Sequence, residues 1–193
     1  MSRPEDHAEK PVPPRPGIGA GRARLGEILR VDHAGELAAV HIYRGQQAVF
    51  SGAARTERAR ATIERMGAQE AEHLKAFEAL LAERGVRPSA LSPVWRAAGF
   101  ALGAATALLG ERCAYACTEA VETVIAEHYA GQVEELKARE PALAERLDGY
   151  RRDEVAHLDE AVAEGAREAP GHALLSAVVA AGCRAAIKVA EKL

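Results

Sequence analysis

No stretch of this chain alternates apolar and polar residues with period two, so strands are not expected. Aromatic residues are scarce, at 4%, while alanine, the strongest helix former, recurs throughout. The three cysteines, Cys113, Cys117 and Cys183, are odd in number and lack a C-x-x-C spacing, which argues against a disulfide framework. Cys113 and Cys117 share one helix face and are expected to be small apolar packing residues. A net charge of −3 gives no basic footprint for nucleic acid. Residues 1–22 are polar and rich in proline and glycine, without the apolar core of a secretory signal. Glu5, Asp6 and Glu9 argue against a mitochondrial transit peptide. The simplest expectation is an intracellular bacterial protein, with a disordered arm over 1–22 and one domain over 23–193.

What is present is helical periodicity. A first helix is expected over about 23–51, with the stripe Leu25, Leu29, Asp32, Glu36, Ala39, Tyr43 and Phe50. Ser51-Gly52 breaks it. A second, over about 56–84, has Thr56 as N-cap and the stripe Ala59, Ile63, Met66, Glu70, His73, Phe77 and Leu80. Gly85, Pro88 and Pro93 mark a loop. Ala97 to Gly110 carries no charge over fourteen residues. That is short of the roughly 18–20 that cross a bilayer, and fits a buried hairpin arm or a helix in the membrane interface. Within it Gly99 and Gly103 form a G-x-x-x-G, a weak sign of close helix approach. Trp95 and Arg96 at its start suit a membrane–water boundary. Further helices are expected over about 111–138, with Tyr115, Thr118, Glu122, Ile125 and Tyr129 on one stripe, and over about 142–168, with Leu147, Tyr150, Glu154, His157 and Ala161. A last one, about 172–191, ends in Arg184, Lys188 and Lys192, a basic tail suited to anionic head groups.

Charged residues sit where apolar ones belong. Glu70 and His73 occupy consecutive stripe positions of one helix, and Glu154 and His157 do the same in another. Glu36 precedes Glu70 by 34 residues and Glu122 precedes Glu154 by 32, each on its own helix's apolar face. A four-helix bundle would gather four carboxylates and two imidazoles in its core. Left unpaired, each buried carboxylate would cost several kcal/mol or take up a proton. Arg65, Arg151 and Arg152 flank the stripes rather than sit on them. Two divalent cations would neutralise the set.

One E-x-x-H is weak evidence; two, both in apolar stripes and both preceded by a stripe glutamate, are strong. The set matches the ferritin-like carboxylate template, with one Glu from each of two helices and Glu-x-x-His from each of the other two. In that template Glu70 and Glu154 bridge the metals, Glu36 and His73 complete one shell, and Glu122 and His157 the other. Mixed oxygen and nitrogen ligands suit iron or manganese better than zinc. Asp153 is a candidate to hydrogen-bond His73 across the bundle and fix its tautomer, with a surface aspartate the equal alternative. Tyr43, Tyr115 and Tyr129 each lie seven residues from a ligand glutamate, as candidates for the substrate pocket, with core packing the plainer alternative. His33, His41 and His128 are expected in packing or surface roles. Glu72 and Glu119 are expected to be solvated or to sit behind the ligands.

The local sequences R-V-D-H-A-G-E at 30–36, I-Y-R-G-Q at 42–46, G-F-A-L-G-A-A-T-A-L-L-G at 99–110, A-C-T-E-A-V-E at 116–122, D-E-V-A-H at 153–157 and A-G-C-R-A-A-I near the end resemble the demethoxyubiquinone hydroxylase family of ubiquinone biosynthesis. The resemblance covers about 23–193, and the same six ligand positions are met. It implies an all-α, ferritin-like bundle with apolar helices that contact the membrane. It implies a di-iron monooxygenase that uses dioxygen to hydroxylate the ring of 5-demethoxyubiquinol, a 2-polyprenyl-6-methoxy-3-methylbenzoquinol. The expected place is the bacterial inner membrane, peripheral, on the cytoplasmic face. NADH or a partner reductase would supply electrons, and a lipid-binding accessory protein would deliver substrate, as in some members. Two alternatives share parts of the pattern. Another ferritin-like di-metal protein, for iron oxidation and storage or peroxide scavenging, needs the ligands but not the apolar runs. A non-catalytic scaffold bundle needs neither the metal nor the buried glutamates.

Overall fold

The computed structural model describes residues 18–51 and 57–192. Its helices are α1 (Ile18–Phe50), α2 (Glu57–Arg84), α3 (Ser92–Leu108), α4 (Glu111–Leu136), α5 (Pro141–Ala163) and α6 (His172–Ala190), with one 3₁₀ turn at Ala166–Glu168 and no strand among the described residues. Helix α1 begins at Ile18, so the last five residues of the expected arm are helical. The remainder of that arm, and the expected cap Thr56, lie outside the described residues.

Helices α1, α2, α4 and α5 form a four-helix bundle, with α1 packed on α2 and α4 on α5. Each pair is joined by a short connection, which makes its members antiparallel neighbours. Helix α3 crosses between the pairs and lies along α1, and α6 lies along α4. The stripes read from the sequence are the buried ones: Ala59, Ile63, Met66, Phe77 and Leu80 of α2 and Leu143, Leu147 and Ala161 of α5 face inward. Helix ends follow local chemistry. Gly85 takes φ of 63° after α2, and the Val86 N–H reaches the Leu81 carbonyl at 2.9 Å, closing a Schellman turn that a β-carbon would strain. Pro141 opens α5 where its missing N–H has no intrahelical partner. Helix α5 stops at Ala163, earlier than the periodicity implies, because Gly165 turns the chain into the 3₁₀ segment.

The uncharged run is α3, and it is a separate helix on the bundle's flank. Its glycines set how close it comes. A β-carbon on Gly103 would stand 1.9 Å from the Ile42 carbonyl oxygen, and one on Gly45 would stand 2.2 Å from that of Phe100. The G-x-x-x-G is therefore a backbone-to-backbone crossing of α1 and α3. Helix α6 is fixed by ion pairs as well as packing. Glu119 of α4 accepts from Arg167 Nε at 3.1 Å and lies 2.7 Å from His172 Nε2, and Arg184 pairs with Glu127 at 3.1 Å. Glu119 is thus a buried anchor for α6.

Replacing Gly103 by alanine is expected to destabilise the fold by about 3 kcal/mol, the upper end for overpacking, because the obstacle is backbone. Gly131→Ala, at a helical position with nothing within 4 Å, is expected to stabilise by about 0.5–1 kcal/mol. Urea denaturation of the two variants checks the pair.

Candidate metal centre

Each of the four bundle helices turns carboxylate or imidazole into the core. Glu36 comes from α1, Glu70 and His73 from α2, Glu122 from α4, and Glu154 and His157 from α5; none is more than 4% exposed. Their ligand atoms fall into two groups, each lying within 4.8 Å. One is Glu36, Glu70, His73 and Glu154; the other is Glu70, Glu122, Glu154 and His157. Glu70 and Glu154 belong to both, as carboxylates between two metal positions would.

Both imidazoles point Nδ1 into the cluster. His73 Nδ1 lies 3.4 Å from Glu154 and 3.6 Å from Glu36, and His157 Nδ1 lies 2.9 Å from Glu70. Neither Nδ1 is held in a hydrogen bond, nor is Glu36 Oε2, Glu70 Oε1 or either oxygen of Glu154. Buried polar atoms without partners are rare in native cores. Six gathered in these two groups could hold cations, and oxygen and nitrogen donors of this kind suit iron or manganese. The outer nitrogens are occupied. His73 Nε2 donates to Asp153 Oδ2 at 3.1 Å and His157 Nε2 to Gln69 Oε1 at 3.1 Å. This fixes each ring with its inner nitrogen free to coordinate.

The tyrosines cross between the halves. The Tyr43 hydroxyl of α1 donates to Glu122 of α4 at 2.8 Å, and that of Tyr129 of α4 donates to Glu36 of α1. Burial, then the nearby carboxylates, hold both phenols protonated. Tyr115 is different: it is buried in the cluster of Phe50, Ile63 and Met66, with no hydrogen bond to the six. A two-turn offset toward the N-terminus takes it away from the carboxylates. His33 is buried and His41 bonds the Leu37 carbonyl; neither joins the six. Glu72 is exposed beside Lys75.

Two features escaped sequence reading. Gln69 stands immediately before Glu70 as Asp153 does before Glu154, so comparing the two E-x-x-H segments would have found it. Asp32 is a fully buried carboxylate that accepts from Gln132 Nε2 at 2.7 Å, with His128 Nε2 at 3.6 Å. Its place on the α1 stripe marked it as inward-facing, but nothing local pointed to Gln132 and His128 as its partners.

Without metal the cluster holds protons. Burial and the charge of Glu70 push Glu36 well above the usual carboxylate range, and burial and the charges of Glu154 and Glu70 do the same to Glu122. Glu70 goes the other way, to about 2: burial would raise it, but the imidazoles of His157 and His73 beside it outweigh that. Burial alone would lower both histidines, but the surrounding carboxylates raise them, His157 to about 9.

Fold and site together define a ferritin-like carboxylate–histidine protein. The sequence pattern of the ubiquinone biosynthesis protein COQ7 family matches residues 23–190, and the chain belongs to that family. It is 45% identical to the 3-demethoxyubiquinol 3-hydroxylase of Rhodospirillum rubrum, over 92% of this chain and 82% of that one. It is 44% identical to the human mitochondrial NADPH-dependent 3-demethoxyubiquinone 3-hydroxylase, over 89% and 79%. It is 38% identical to the yeast mitochondrial 5-demethoxyubiquinone hydroxylase, over 97% and 87%.

The raised His157 favours the metal-free fold below about pH 6.5, and that contribution fades as pH rises through about 9. Metal displaces the same proton, so its binding strengthens over that range. The rise in Tm on adding ferrous ion anaerobically is therefore expected to be larger at pH 8.5 than at pH 6.5. Scanning fluorimetry of metal-free and loaded protein checks this.

Proposed function

We propose that this chain hydroxylates the ring of a demethoxyubiquinol, using dioxygen at a pair of iron ions held by Glu36, Glu70, His73, Glu122, Glu154 and His157. The observation that carries the reading is the pair of four-residue ligand groups sharing Glu70 and Glu154, in a chain whose relatives are named as hydroxylases of this quinone. Those names favour hydroxylation over iron storage or peroxide scavenging.

An iron pair bound here supplies the dioxygen-activating redox chemistry. The chain's own residues hold it and control water. Glu70 and Glu154 would be shared by the two ions, while Glu36 and Glu122, bonded by the Tyr129 and Tyr43 hydroxyls, would each hold one. Asp153 and Gln69 orient the two imidazoles. Burial of all six excludes bulk water. One oxygen atom enters the ring in place of hydrogen. The other leaves as water with two electrons and two protons, and reduced nicotinamide is the electron source that the name of the human relative supports.

The substrate carries a polyprenyl tail, and the surface fits a membrane-dissolved ligand. Val94, Phe100 and Leu108 of α3 and Leu109 just after it are exposed, and so are Leu174, Val178 and Val189 of α6. Among the described residues, α6 alone is long and apolar enough to cross a membrane by length and composition. It packs along α4 through Val179 and Leu175, however, which favours lying in the interface over spanning it. We read the protein as peripheral at the bacterial inner membrane.

Iron-loaded protein, a reductant and ¹⁸O₂ are expected to convert demethoxyubiquinol to a product carrying one labelled oxygen. Glu154→Ala is expected to lower that rate at least a hundredfold. The paired change Leu108→Glu and Leu174→Glu is expected to spare a short-tailed, soluble quinol but lower turnover of a long-tailed one in vesicles about tenfold. An unlabelled or absent product from the iron-loaded chain would refute the reading.

A further inference from the structure

The two halves of the site are related by an internal repeat, and the repeat is broken on one side. Tyr43 and Tyr129 are equivalent and bond equivalently, each to the other half's single glutamate. Asp153 and Gln69 are also equivalent, yet one gives His73 a carboxylate partner and the other gives His157 a neutral amide. Asp32, one turn before Glu36, corresponds to Thr118, one turn before Glu122. Thr118 is buried and uncharged. His128, 3.6 Å from Asp32, corresponds to the apolar Ile42. The Glu36–His73 half thus has two carboxylates behind its ligands, and the Glu122–His157 half has neither.

The geometry points to two inequivalent metal positions, with Asp153 and Gln69 as positioning residues that make the Glu36–His73 position the tighter one, filled first by a divalent cation. A hydrogen bond from an imidazole to a carboxylate is stronger than one to an amide and makes the inner nitrogen a better donor. Outer partners of metal-bound histidines typically change affinity about 10- to 100-fold. Asp32 sets the same half apart by geometry: it is buried one turn before Glu36, its Oδ2 without a hydrogen-bond partner, with His128 and Gln132 as its polar neighbours. The inference rests on the metal-centre reading of the six ligands and goes beyond it by ordering the two positions.

Cobalt(II) titration of the metal-free full chain, followed by visible absorption and calorimetry, tests it. Two steps are expected, with dissociation constants about 10- to 100-fold apart. His73→Ala is expected to abolish the tight step and leave the weak one; His157→Ala is expected to do the reverse. Asp153→Asn is expected to weaken the tight step about tenfold or more. Gln69→Glu is expected to strengthen the weak step, a gain that damage to folding cannot mimic. Two ions bound with equal affinity, or loss of the tight step in His157→Ala, would overturn the inequivalence while leaving the centre intact. No cobalt bound by the wild-type chain would overturn the centre itself, and the inference with it.

Discussion

Burial of four carboxylates and two imidazoles in the middle of a helical core is the constraint on which the rest of this structure depends. A dry cluster of like charges is strongly disfavoured, and it persists only if cations, protons or hydrogen bonds compensate it. Protons do this in part when metal is absent, as the raised Glu36, Glu122 and His157 show. A pair of divalent cations would do it completely, matching four negative charges with four positive ones.

The hydrogen bonds around the cluster also fix how the helices meet. Tyr43 reaches from α1 to Glu122 of α4, and Tyr129 reaches back from α4 to Glu36 of α1. His73 reaches from α2 to Asp153 of α5, and His157 reaches back to Gln69. Each bond joins one helix pair to the other, so a slip of one turn along any helix would break a reciprocal contact. The same network that orients the ligands sets the register of the bundle. The outer helices have a different task. Close glycine crossings press α3 onto α1, and Glu119 ties the start of α6 to α4. Both helices keep apolar side chains exposed on their outer faces.

Much of this was legible in the sequence, because helical period and misplaced charge are local signals. Glu70 and His73 stood out because Met66 and Phe77 on the same stripe are apolar, and all four are buried. The Asp153–His73 bond was legible too, since the aspartate precedes a ligand glutamate. What was hidden depended on packing between distant segments. Asp32 stands on the α1 stripe, yet its partner stays hidden until Gln132, a hundred residues on, is found donating to it. Tyr115 shares its spacing with Tyr43 and Tyr129 but lies two turns in the opposite direction from its glutamate, so it joins an apolar cluster. The early end of α5 followed from Gly165, which the apolar periodicity alone does not weigh.

The most direct measurement is anomalous diffraction at the iron edge from crystals of the iron-loaded protein. The account predicts two peaks about 3.5–4 Å apart, both in contact with Glu70 and Glu154, one beside Glu36 and His73 and the other beside Glu122 and His157. No peak inside the bundle, or a single peak that Glu70 and Glu154 do not share, would contradict it.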